Sequence, residues 1–169
     1  MKNLVVIISH CNSDPKLEAL RNLISKIKQK DLDVMVVTHI PLPKDIQDSV
    51  EYMVYDKSNP MLYWPEYGNM CWLSPQEGIK MLNVIPEHGW TVYNQIINAG
   101  NLGMGLSYTH FTFVNYDTII TEEMFETIKN PGDFVVSEQI IGEGGVVQRI
   151  PTLWFNIFSK ENLKKLLSL

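Results

Sequence analysis

Apolar residues along this chain fall into short unbroken runs and helical recurrences, and the two alternate from the start. Leu4-Val-Val-Ile-Ile8 is a continuous aliphatic run, the pattern of a central strand covered on both faces. Asp14 followed by Pro15 predicts a helix start, with Asp14 as cap and Pro15 in the first helical position. Leu17, Leu20, Leu23, Ile24 and Ile27 then recur at helical spacing, while Lys16, Glu18, Arg21, Lys26 and Lys28 take the other side. Val34 to Val37 predicts a second buried strand ending at Thr38-His39. A strand–helix–strand unit of this kind predicts a right-handed parallel crossover.

Beyond Pro41-Leu-Pro43, Lys44 to Ser49 predicts a short helix and Val50 to Tyr55 a third strand running into Asp56-Lys-Ser-Asn59. From Pro60 to Trp90 the periodicity is lost. A Trp-, Tyr- and Met-rich stretch of this length predicts a lid or partner surface, in which Trp64, Tyr67 and Trp72 either stack on a ligand or pack on the core. Thr91 to Ile97 predicts a helix running into the small-residue stretch Asn98 to Leu106, and Phe111 to Val114 a buried strand ending at Asn115-Tyr-Asp117. Thr121 with Glu122 and Glu123 opens a helix to about Lys129, which Asn130-Pro-Gly132 closes. Asp133 to Ser137 predicts another strand, and a turn at Gly142 to Gly145 predicts a short hairpin from Ile140-Ile141 to Val146-Val147. Leu153 to Phe158 predicts a further strand, and Ser159 caps a last helix from Lys160 to Leu169.

Together these elements predict an α/β fold, three layers of α/β/α around a mostly parallel sheet, in a single domain over residues 1–169. The net charge of -5 disfavours a duplex nucleic-acid surface, which needs a basic face. The N-terminal apolar run is too short for a signal peptide or a transmembrane span, so a cytoplasmic setting with Cys11 and Cys71 as thiols is expected. His10, His39, His88 and His110 lie apart from any Cys pair, so no zinc pattern is present.

Polar residues follow each predicted strand: Ser9 to Asn12, Thr38-His39, Asp56 to Asn59 and Asn115 to Asp117. On one edge of a parallel sheet they would form a pocket, because open α/β sheets bind ligands outside the carboxyl ends of their strands. The turn after the first strand has no glycine, which disfavours a dinucleotide fingerprint despite Gly100, Gly103 and Gly105. Neither a P-loop nor a Gly-x-Ser-x-Gly elbow occurs.

Asn101-x-Gly103, the small-residue interval, Tyr108 to Val114 and Asn115-x-Asp117 resemble the core of glycosyltransferases with the glycosyltransferase-A fold, family-2-like, over about Leu4 to Ile120. In that family the corresponding strand ends in Asp-x-Asp, and here Asn115 replaces the first Asp. The resemblance implies a nucleotide-diphosphate sugar as donor, a divalent cation (Mn or Mg), and an acceptor of unidentified chemistry such as a glycan. It assigns Asp117 to the metal and diphosphate, and Asn115 and Tyr116 to the donor. Ser9, His10, Asn12, His39 and Asp56, which lie at predicted strand ends, join them as the nucleotide-binding set with Asn98 and Asn101. Residues 1–120 then form the nucleotide-sugar half and residues 121–169 a short acceptor-side remainder, as in a minimal or partial member. Glu138 and Glu143 are the candidates for a catalytic base, with solvated hairpin carboxylates as the competing reading. Two alternatives stand beside transfer: a non-catalytic nucleotide-sugar-binding module, and a doubly wound interaction domain.

Overall fold

A computed structural model describes residues 2–56, 85–143 and 146–168, of which 85–91, 138–143 and 146–154 are described by backbone alone. The expected lid aromatics Trp64, Tyr67 and Trp72, the thiol Cys71, the polar residues Lys57 to Asn59 and the turn residues Gly144-Gly145 lie outside them. In chain order the elements are β1 (Asn3–Ser9), α1 (Asp14–Lys28), β2 (Asp33–Thr38), α2 (Lys44–Gln47), β3 (Tyr52–Tyr55) and α3 (Ile85–Met104). They continue with β4 (His110–Asn115), α4 (Glu122–Lys129), β5 (Phe134–Glu143), β6 (Val146–Ser159) and α5 (Lys160–Leu167).

The aliphatic run of β1 is buried along its whole length, as a strand flanked by two others requires. All six strands join one sheet in the order β3-β2-β1-β4-β6-β5. β1, β2, β3 and β4 run parallel, with Ile8 opposite both Val37 and Asn115. β6 lies antiparallel to β4, and β5 antiparallel to β6. The sheet is therefore mixed, which corrects the expected mostly parallel arrangement: β5 and β6 form a hairpin, and a hairpin can only pair antiparallel.

Strand alternation divides the core. Val5, Ile7, Val34 and Val36 face Leu20, Leu23, Ile24 and Ile27 of α1, with Ile46 of α2 and Phe125 and Ile128 of α4. Leu4, Val6, Met35 and Phe113 face the other way, against Ile96 and Ala99 of α3 and Leu163 of α5. α3 and α5 meet where Gly100 approaches the Leu167 side chain.

Other expectations shift at their boundaries. The α1 cap is Ser13 rather than Asp14, which becomes the first helical residue with Pro15 next. α3 begins at Ile85, so the aperiodic stretch ends earlier than Trp90; Pro86 falls in a first turn, where its missing N–H costs nothing. The hairpin is far longer than Ile140-Ile141 with Val146-Val147, with strands of 10 and 14 residues and a register shift between Val136 and Ser137. Thr121 and Ser159 cap α4 and α5 as expected, accepting from the Met124 and Asn162 backbone N–H groups.

Gly103 sits where α3 crosses β4, and a Cβ there would lie 2.5 Å from Cε1 of Phe111. Alanine is favoured over glycine inside a helix by about 1 kcal/mol, but here the ring must move. Gly103→Ala is expected to destabilise the fold by about 1–3 kcal/mol through overpacking. Urea unfolding measures this, and the penalty should shrink when Phe111 is first replaced by Leu.

Candidate functional site

The parallel register brings the ends of β1, β2, β3 and β4 to one edge of the sheet. Polar side chains near those ends, with others from α3, form two separate groups.

The first group gathers between β1, β2, β3 and α3. Thr38 Oγ1 donates to the Ile40 carbonyl at 2.8 Å and accepts from the Ile40 N–H at 3.1 Å, closing the turn that carries His39. His39 is buried, 2% exposed, and its Nε2 lies 2.5 Å from Nδ1 of His10, the two rings meeting edge to edge. On its other side, His39 Nδ1 is 2.9 Å from the side-chain amide nitrogen of Gln95. One turn along α3, Asn98 donates to the buried carboxylate of Asp56 at 3.2 Å. Burial pulls His39 down from 6.5 to about 4, with nearby His10 adding to the fall and Asp56 opposing it. Ser9 ends β1 in the buried interior.

The second group forms where β4 ends. The Asn115 N–H donates to Thr118 Oγ1 and the Thr118 N–H returns to the Asn115 carbonyl, both at 3.1 Å. This closes a turn with Asp117 exposed near its tip and Tyr116 partly buried against the α1 side of the core. Asn115, Asp117 and Thr118 line a cavity of about 500 Å³ together with Ile119, Met124, Ser137 and Phe155. Ser137 Oγ accepts from the Phe155 N–H at 3.2 Å, pinning that wall where β5 and β6 change register. The volume suits a small-molecule ligand, and the lining pairs three apolar side chains with amide, carboxylate and hydroxyl oxygens.

Between the groups, Asn12 is exposed and accepts from Lys16 at 2.9 Å, one helical turn on. Cys11 is buried, and burial pushes its thiol up to about 12, with Lys16 opposing and Asp117 adding to the rise. It is therefore a protonated core thiol at neutral pH rather than a nucleophile. Burial likewise raises Tyr116, assisted by Asp117 and Cys11.

The structure thus places Asn115 and Asp117 at one cavity, with Tyr116 in the turn between them. It places His10, His39, Asp56 and Asn98 in a network that none of the described cavity linings includes. Asn101 is exposed on α3, beyond Asn98 and away from the edge. Glu138 and Glu143 lie on β5, with side chains outside the described residues.

Two participants went unnoticed in the sequence. Gln95 is a polar residue three positions before Asn98, among the buried apolar positions of α3 near Ile96 and Ala99, and that misplaced polarity was its signal. Ser137 carried none.

A divalent cation needs oxygen ligands. Asp117 offers one carboxylate oxygen at this turn, which fits a hard cation that takes most of its ligands from elsewhere. Among the described residues no three His, Cys, Asp or Glu side chains gather as a metal site, and no helix is long and apolar enough to cross a membrane. No protein-family model matches this chain, and no curated protein matches it.

Proposed function

We propose that the edge formed by β1 to β4 binds a nucleotide-diphosphate sugar, and that the chain is a glycosyltransferase-A-like transferase with its sheet layered between helices. The observation that carries this reading is the β4 turn, which puts Asn115 and Asp117 on the wall of a ligand-sized cavity beside the end of β1.

On this reading Asp117 faces the diphosphate and Asn115 donates and accepts hydrogen bonds at a ribose hydroxyl. A Mn²⁺ or Mg²⁺ ion held by Asp117 and the diphosphate would supply the positive charge that the leaving phosphate needs. Asn115 adds no charge where a second carboxylate would, and among the described lining residues Asp117 is the one charged side chain. Ile119, Met124 and Phe155 line the apolar side of the cavity. Asp56, already accepting from Asn98, contributes to a nucleotide base only through its remaining lone pairs.

Thermal unfolding against nucleoside diphosphates and their sugars, with and without Mn²⁺ or Mg²⁺, tests the proposal. A ligand at a hundred times its dissociation constant adds about 2.7 kcal/mol of stability. We expect one nucleotide class to stabilise the chain, more so with metal, and Asp117→Ala to remove that stabilisation. Stabilisation without release of nucleoside diphosphate from the donor would leave a binding module. A flat response from folded protein would overturn the reading and favour an interaction domain.

A further inference from the structure

The ends of β1 and β2 carry two imidazoles that lie outside the lining of the β4-turn cavity. His10 Nδ1 and His39 Nε2 are 2.5 Å apart, and the ring centroids are 4.7 Å apart at an interplanar angle of 28°. A nitrogen–nitrogen hydrogen bond holds one proton, so one ring donates and the other accepts. Gln95 then decides how many protons the pair can carry. With its amide N–H directed at His39 Nδ1, that nitrogen is bare, His39 donates through Nε2, and both rings are neutral. Turned by half a rotation, the same amide offers its oxygen instead. His39 can then hold protons on both nitrogens while still donating to His10. A further proton on His10 Nδ1 sets two N–H groups against each other, and the contact must part.

The surroundings favour the neutral state. His39 is 2% exposed. From β3 the Asp56 carboxylate faces it and favours protonation; from the end of β1 His10 opposes it; from α3 come the neutral amides of Gln95 and, on Asp56, Asn98. Burial outweighs the carboxylate, which keeps His39 neutral until the solution is well below its ordinary titration range.

We propose that the hydrogen-bonded His10–His39 pair, backed by Gln95, is an acid-operated clasp that joins the ends of β1 and β2 to α3 and opens when both rings are protonated. Its direction follows from linkage. His39 titrates at about 4 in the folded chain and at 6.5 when unfolded. The unfolded state therefore takes up the proton first as pH falls. The His39 share of the clasp's contribution is complete above about pH 6.5, declines from there toward pH 4, and falls no further below it.

Two measurements on the full chain test this. In thermal unfolding, wild type is expected to exceed His39→Gln in Tm at about pH 7.5, and that gap is expected to close by about pH 4.5. A constant gap across the range would overturn the clasp. Imidazole C–H resonances of the wild-type protein provide a test that does not require the variant to fold. The His39 signals are expected to move in steps that begin below the ordinary histidine range, with the His10 signals following the same steps through the shared proton. Gln95→Leu, lacking the oxygen for His39 Nδ1–H, is expected to move the first step to lower pH. Independent titration of each ring near 6.5, or no response to Gln95→Leu, would refute the proposal.

Discussion

Phe111→Ala is expected to remove about 3–5 kcal/mol of folding stability, the range for truncating a buried aromatic. Phe111 is 0% exposed near the start of β4, beneath Gly103 of α3 and edge-on to Tyr108. The cost should lie in the upper part of that range because the hole cannot be refilled locally. Gly103 has no side chain to swing in, and the strand above is pinned by parallel pairing from Asn3–His110 onward. Against a typical total of about 5–15 kcal/mol, such a loss moves the unfolding midpoint decisively. Urea unfolding, with the m-value unchanged, measures it. A loss under about 1 kcal/mol would show that α3 does not seat on this ring.

Asn3→Ala is the second large effect, and its origin is polar. Asn3 is 7% exposed at the start of β1, and its amide nitrogen donates to the Ile128 carbonyl at 3.0 Å. That carbonyl belongs to the last turn of α4, where helix geometry leaves carbonyls without internal partners. The Asn3 amide oxygen accepts from Thr112 Oγ1 at 3.1 Å, a hydroxyl that is 0% exposed. Alanine strands both groups in the interior, at about 1–3 kcal/mol each. We expect a combined loss of about 2–6 kcal/mol. Adding Thr112→Val removes one stranded group and should recover part of it. If the double variant instead lost the sum of the two single effects, Asn3 and Thr112 would not be coupled.

Much of the fold could be read from local pattern. β1, β2 and β4 are runs of buried aliphatic or aromatic residues, and α1, α4 and α5 carry caps with apolar stripes, signals that tertiary context did not have to override. Strand direction was not readable, because alternation has no polarity: Leu153 to Phe158 looks the same whether it runs with or against β4. The full length of β6 was hidden by Pro151, which normally ends a strand. Pro151 pairs with Glu138 of β5, whereas β4 pairs only with Phe155 to Ser159, so its missing N–H falls where β6 has a strand on one side alone. At the edge, the Asn115-x-Asp117 turn was legible as a motif. The His10–His39–Gln95 network was not, since its members are 29 and 56 residues apart and meet only when β1, β2 and α3 are assembled.

The placement of β1 also bears on how the chain reaches this state. β2 follows β1 closely and can pair with it early, but the other side of β1 must wait for β4, whose first partner His110 lies 107 residues (110 minus 3) beyond Asn3. Closing so long a loop before any contact rewards it slows folding. During synthesis the aliphatic strand β1 is made well before β4 and keeps one hydrogen-bonding edge open until β4 follows. That interval, rather than the finished structure, is when self-association through strand edges is most favoured. Variants that weaken β4 should therefore lower soluble yield more than their effect on equilibrium stability alone would suggest.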